Sequence, residues 1–306
     1  MRIYLAAMSS RLAGFGPSGT TNPNKIAGDA MARPYPWKLE SYHYLKDNPR
    51  AAPYFREQKE TLFLDSGAFT MFTKGIRVDL EAYTQFLKDN ADWIHTASNV
   101  DEIGAGKEEA TYRNQKELER LGADVCPVHH ARDADKWLQK YLAEGYDYIF
   151  LGGMVPETTK YLLGWLDHVW GRYLTRKDGT ARVKVHGFGL TTFELMTRYP
   201  WFSVDSTSWV QHGSFGCVMV DFPDGRLQRI VVSQDSPMVH DFDRHLDNMS
   251  PPERRVVLDR IEELGYDVEL LRTHYGWRDN WNINFFARMG PRIAPVFHRR
   301  QQGIFD

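Results

Sequence analysis

Three aspartates stand where apolar, strand-like runs end: Asp65 in Thr61–Thr70 (TLFLDSGAFT), Asp101 after Trp93–Val100, and Asp205 in Trp201–Trp209 (WFSVDSTSW). A carboxylate at the mouth of a buried strand pays desolvation unless something pairs with it. Brought together, such groups can divide labour, one ionised as nucleophile and one carrying a proton as acid or base. Cleavage at an anomeric carbon needs that division. The plainer reading of each aspartate is a cap on the turn or helix that follows. Three oxygen ligands would also suit magnesium or manganese.

His129, His130, His186 and His212 are candidates for shared duty, against the common role of a hydrogen-bonded structural histidine. A zinc site of His129, His186 and a carboxylate is open on ligand type, although no H-x-H or H-E-x-x-H motif supports it. Gly152-Gly153 and Gly187-Phe188-Gly189 follow strands but lack the third glycine of a dinucleotide fingerprint and the lysine of a P-loop. They read better as backbone approaching a flat ligand closely. Phe69, four residues past Asp65, is either a stacking face or a core aromatic. From Thr273 onward, Trp277, Arg278, Trp281, Phe285, Phe286, Arg288, Arg292, His298, Arg299 and Arg300 form the mixture a nucleic-acid groove uses. A snorkelling, solvated surface is the alternative there.

The elements that would position these residues repeat as strand, turn and helix. Strands are expected at Met1–Met8, Leu62–Asp65, Trp93–Val100, Asp124–His129, Tyr148–Leu151, Arg182–His186 and Phe202–Asp205, with Phe215–Val220 as an eighth. Helices are expected at Asp79–Asn90, Lys107–Leu121, Ala134–Ala143, Pro156–Tyr173 and Thr191–Tyr199, and at Ser250–Gly265 behind a Ser-Pro-x-Glu start. Residues 9–60 lack periodicity apart from a short helix around Lys38–Lys46 and read as an insertion after the first strand. Arg226–Ser233 follows a Pro-Asp-Gly turn, which also allows a hairpin with Cys217–Phe222. Repeated βα units without tight hairpins imply a parallel sheet. The fold expected is an α/β (β/α)8 TIM-like barrel, with a doubly wound open sheet as the alternative. Polar or glycine residues after nearly every strand favour the barrel, since all would share one rim. Residues 1–235 are expected to form the barrel and 236–306 an α-rich C-terminal extension.

Composition sets the boundaries. A net charge of −2 over 306 residues excludes a protein that coats DNA, but not an enzyme with a local basic groove. The two cysteines, Cys126 and Cys217, lie in separate apolar runs and point to a reducing, cytoplasmic compartment. They exclude a zinc cluster of several cysteines. No apolar run approaches the length of a membrane span.

These residues, in this order, resemble the tRNA-guanine transglycosylase superfamily. Asp65-Ser66-Gly67-Ala68-Phe69 is similar to its D-S-G-G-[FY] motif and Val100-Asp101-Glu102 to its base-recognising aspartate. Leu151-Gly152-Gly153-Met154 resembles its G-G-L segment, His186-Gly187-Phe188-Gly189 its G-x-G strand end, and Val204-Asp205-Ser206 the stretch carrying its nucleophile. The likeness spans about residues 60 to 210. It departs from the tRNA enzymes in three ways: their three-cysteine, one-histidine zinc site cannot be formed, Ala68 replaces a glycine, and His129 or His130 stands where they carry glutamine. The chain therefore looks more like the phage branch, which inserts 7-deazaguanine derivatives such as 7-cyano-7-deazaguanine into DNA.

The resemblance implies Asp205 as nucleophile at C1′ and Asp65 as proton carrier. It implies Asp101, Phe69, Ser66, Gly67, Gly152, Gly153, Met154, His186, Gly187 and His129 around the base, and Arg278, Arg292, Arg299 and Arg300 on the nucleic acid. It implies DNA and a free deazaguanine base as partners, and neither cofactor nor metal. Competing expectations are a transglycosylase acting on tRNA or other RNA, a metal-dependent barrel hydrolase using the same carboxylates, and a nucleic-acid-binding barrel with a dead site.

Overall fold

Alternation along the strands decides what each one offers to the interior. Side chains two residues apart share a face. Thus Phe63 and Asp65, Val128 and His130, and Ser203 and Asp205 point one way, while Leu64, His129 and Val204 point the other. The computed structural model describes residues 1–8, 35–190, 192–236, 238, 244–292 and 296–297.

The chain is an α/β protein in which strands and helices alternate. Its elements run β1 (Arg2–Ala6), β2 (Lys38–Ser41), α1 (Tyr42–Leu45), α2 (Ala51–Gln58), β3 (Leu62–Asp65), α3 (Ala68–Thr73), α4 (Leu80–Asp89) and β4 (Ile94–Ala97). There follow α5 (Glu108–Arg120), β5 (Val128–His130), α6 (Asp135–Ala143), β6 (Tyr148–Gly152), α7 (Thr159–Val169), β7 (Lys184–Gly187), α8 (Phe193–Arg198) and β8 (Ser203–Ser206). Strands β1 to β8 form one parallel sheet in the order β4-β3-β2-β1-β8-β7-β6-β5. Main-chain bonds just beyond β4 and before β5, Asn99 N to Cys126 O and Cys126 N to Ala97 O, both 2.9 Å, link the sheet's two ends. The curled sheet is compatible with a TIM-like barrel.

The concave face is packed by Tyr4, Ala6, Leu39, Phe63, Val128 and Phe150. Ile3, Leu5, Ile149, Leu151, Val185 and Val204 face outward into a core shared with the helices.

The second strand corrects the expected organisation. Lys38–Ser41 is β2, paired in parallel with both β1 and β3, so the short helix expected around Lys38–Lys46 is confined to its second half, Tyr42–Leu45, and the single insertion at 9–60 does not hold. The pattern KLES hides the strand because Lys38 and Glu40 are charged yet buried. Lys38 reaches that state by pairing with Glu60. Phe215–Val220 does not close the series either. After α9 (Ser208–Ser214), β9 (Cys217–Asp221) pairs antiparallel with β10 (Leu227–Val231) in a separate hairpin. Helix α7 begins after Thr158, whose side chain accepts from Tyr161 N, rather than at Pro156.

C-terminal helices α10 (Pro251–Glu263), α11 (Val268–Thr273) and α12 (Tyr275–Met289) pack with the hairpin. Asn282 on α12 is fully buried and fully bonded. It accepts from Met219 N and donates to the carbonyls of Trp209 and Cys217, which ties α12 to both α9 and β9.

Candidate active site

The C-terminal ends of β3, β5, β7 and β8 carry the chemistry. At the end of β3, Asp65 Oδ2 accepts from Gly67 N at 3.0 Å. Gly67 must be glycine. Its φ is +75°, and a Cβ would lie 2.7 Å from Ser41 Oγ and 2.8 Å from His43 Cβ. Asp65 is partly buried, and burial, followed by the negative charge of Asp101 and more weakly that of Asp205, pushes its carboxyl up to about 7. The Gly67 N–H and the Ser41 hydroxyl oppose that shift without cancelling it. Burial and two neighbouring carboxylates thus bring the titration of Asp65 up toward neutral pH.

At the end of β8, Asp205 is buried. Its Oδ1 accepts from Gly189 N at 2.8 Å and faces His186 Nε2 at 3.3 Å. Both partners address one oxygen, and among the described residues Oδ2 is left available. Gly189 has φ +62°, a left-handed turn that lets the chain after β7 aim an N–H back at the neighbouring strand. His186 is wholly buried. Burial holds its imidazole below the usual histidine range, with Asp205 offsetting this only in part.

Asp101 pairs with His130, its Oδ2 lying 2.8 Å from Nε2. Burial alone would lower the His130 pKa, but the hydrogen bond and charge of Asp101, with Asp133 behind it, hold it above the usual value. The glycine pair on β6 makes room for this histidine. A Cβ on Gly152 would meet His130 Cδ2 at 2.8 Å, and one on Gly153 would meet His130 Cβ at 3.0 Å.

Several expected site residues take other places. His129 faces away from the concave side and stacks near Trp165. Burial, then His130, pushes it down to about 4. His130, in phase with Val128, is the histidine at the site. Ser66 is fully buried, and its hydroxyl accepts from Ala68 N in the turn that leads into α3. The Met154 side chain lies in the core against Gly187, and a Cβ on Gly187 would also meet Trp201 at 3.1 Å. Gly187 thus serves packing rather than a ligand.

Phe69 is 60% exposed, which removes the core reading. Phe72, Ile76 and Val155, also beyond strand ends, are exposed with it.

Of the arginines expected on the nucleic acid, the two among the described residues are both bonded within the protein. Arg278 is buried and donates to the carbonyls of Gly213, Leu271 and Arg272. Arg292 donates to Asp221. Its neighbour Gly290 accepts from the Met1 amino group at the start of β1, the opposite end from the aspartates. Trp281, Phe285 and Phe286 are buried. Arg299 and Arg300 lie outside the described residues.

The positions not singled out from sequence are Ser41, at the end of β2, and His43, in α1 just after it; His130 stood beside His129 as an undecided pair, and Gly189 was named within Gly187-Phe188-Gly189. Strand parity counted from Val128 was the available signal for His130.

Among the described residues no group of three or more His, Cys, Asp or Glu is arranged to hold a metal ion. No helix among them is long and apolar enough to cross a membrane. Neither a protein-family model nor a curated protein sequence matches the chain.

Proposed function

We propose that the curled sheet is a (β/α)8 barrel and that its C-terminal rim is the active site of a base-exchanging pentosyltransferase. More particularly, we read it as an enzyme that replaces guanine in DNA with a 7-deazaguanine derivative such as 7-cyano-7-deazaguanine. The choice of this base pair, and of DNA over tRNA, rests on the motif resemblance. The chemistry rests on the carboxylates.

Asp205 Oδ2 attacks C1′ of the nucleotide as the bond from C1′ to N9 breaks. The bonding pair leaves with guanine, which takes the proton of Asp65. The product is a glycosyl ester on Asp205. The incoming base then gives its N9 proton to the ionised Asp65, N9 attacks C1′, and the Asp205 carboxylate departs. Asp101 accepts from the N–H groups of the base edge, with His130 holding it in place. Reaching C1′ in a duplex requires extruding the nucleotide, at a cost of a few kcal/mol. The exposed rings of Phe69 and Phe72 offer it a stacking surface at the rim.

What supports this reading is the gathering of three carboxylates at the strand ends: Asp65 accepting from Gly67 N, Asp101 paired with His130, and Asp205 held through Oδ1 by Gly189 and His186. A carboxyl pushed up to about 7 by burial and by Asp101 and Asp205, beside a second carboxylate, suits the acid–nucleophile pair that glycosyl transfer needs.

The test is incorporation of labelled guanine, and then of deazaguanine, into a DNA duplex and a tRNA side by side. Exchange into DNA that Asp205→Asn abolishes is expected. Exchange confined to tRNA would overturn the DNA assignment, and exchange in neither would overturn the activity.

A further inference from the structure

Beneath Asp205, polar groups stand in single file where a barrel interior is ordinarily filled by branched aliphatic side chains. His186 Nε2 lies 3.3 Å from Asp205 Oδ1, His186 Nδ1 2.7 Å from Ser203 Oγ, and Ser203 Oγ 2.6 Å from the Tyr148 hydroxyl. His186 and Ser203 have no solvent exposure. The imidazole is wedged among Phe63, Phe150 and Phe188, with ring centroids 4.7, 5.1 and 4.8 Å away. Tyr148 in turn lines a cavity of about 720 Å3 at the N-terminal ends of the strands, with Arg2, His95 and Lys184. Buried polar groups cost free energy unless bonded. This row is bonded only along its own length and to the carboxylate, an arrangement that packing alone does not favour.

We propose that Ser203 and Tyr148 are positioning residues for the nucleophile. The Tyr148 hydroxyl donates to Ser203 Oγ, and Ser203 donates to His186 Nδ1. This anchors the imidazole on its Nδ1 side and aims its Nε2–H at Asp205 Oδ1. The role in catalysis rests on the reading of Asp205 given above; the tautomer does not.

The direction of the row follows from donor chemistry. A neutral imidazole carries one proton, and burial keeps His186 neutral. With that proton on Nδ1, the Nε2 lone pair would face a carboxylate oxygen and repel it. A serine hydroxyl can donate or accept, so Ser203 alone does not choose between tautomers. The phenol is the stronger acid and takes the donor role, leaving the Ser203 hydrogen for Nδ1. Oδ1 is then occupied by Nε2–H and by the Gly189 N–H, so Oδ2 is the atom that bonds to C1′. The same two donors hold the ester carbonyl, and afterwards the departing carboxylate. No proton travels along the row.

The experiment is 15N NMR of the His186 ring in the unmodified chain, Ser203→Ala, Ser203→Thr and Tyr148→Phe, with single-turnover attack on a DNA duplex measured in each. In the unmodified chain Nδ1 should resonate as the bare nitrogen and Nε2 as the protonated one. Ser203→Ala leaves Nδ1 without a hydrogen-bond donor, so the Nδ1 signal should move to that of a bare nitrogen accepting no hydrogen bond, and the unanchored ring should slow attack at least about tenfold, with KM for DNA changed by less than about twofold. Tyr148→Phe should move both readouts in the same direction by about threefold in rate. Ser203→Thr, which keeps the hydroxyl, should restore both.

An Nδ1–H ring in the unmodified chain, or an unchanged Nδ1 signal in Ser203→Ala, would overturn the proposal. If that variant does not fold, an unchanged Nδ1 signal in Tyr148→Phe, which removes one oxygen at the edge of a cavity, does so instead. Because the NMR readout needs no substrate, a shifted Nδ1 signal in a protein without exchange activity would defeat the functional reading and leave the positioning role standing.

Discussion

Two carboxylates in this molecule are treated in opposite ways. Asp221, at the end of β9, is surrounded by cations. Arg260 donates to it at 2.9 and 3.3 Å and Arg292 at 3.0 Å, while Arg288 lies 3.5 Å away. Burial alone would raise its pKa, but these arginines hold it below the usual carboxylate range. Asp65, at the rim, has two other carboxylates for neighbours and is pushed up to about 7. The C-terminal layer spends arginines to make a charge comfortable. The rim withholds them and raises the carboxyl's proton affinity. The two carboxylates are thus told apart by their company rather than by their burial.

The comparison can be broken first at Asp65. Asp65→Asn should slow base exchange by at least about a thousandfold, because an amide cannot carry the proton. The same change should raise the unfolding temperature at neutral pH. A carboxyl whose folded pKa lies above its unfolded value makes the ionised native state the costlier one, over the window from the ordinary carboxylate pKa up to about 7. In the unmodified chain the single-turnover rate should fall as pH rises through about 7, where Asp65 loses its proton. Asp101→Asn removes the larger of the two charge contributions and should move that limb to lower pH. An unmoved limb would mean that Asp65 does not set it.

Asp221→Asn should act oppositely and more gently. Its folded pKa is depressed, so its contribution is present above the unfolded carboxylate pKa and is lost as pH falls through the folded one. Thermal or urea unfolding at neutral pH should register a loss of about 1–2 kcal/mol, with exchange activity retained. No loss of stability would contradict the structural role.

Much of the fold was legible because β3, β6 and β8 are apolar runs that stop at an aspartate or a glycine. Helices such as α4 show their buried face in Tyr83 and Leu87. What failed did so for physical reasons. Strand β2 was invisible because its charged residues are buried, and the Lys38–Glu60 pair that permits this is 22 positions apart in sequence. The apolar run at Cys217–Asp221 looked like the missing strand, but its partner is β10. At the site, residue types and order pointed to Asp65, Asp101 and Asp205. Which of His129 and His130 faces inward depended on parity within a three-residue strand. The basic, aromatic tail misled because Trp281, Phe285 and Arg278 serve the packing of α12, and composition cannot distinguish a groove from a core helix rich in the same residues.

The most direct measurement is the intact mass of the protein, denatured during turnover on a guanine-containing DNA duplex without an incoming base. The account predicts a covalent protein–DNA species in which peptide mapping places the sugar on Asp205, accompanied by free guanine and absent in Asp205→Asn. A chain that releases guanine with no adduct, or whose adduct survives Asp205→Asn, would contradict it.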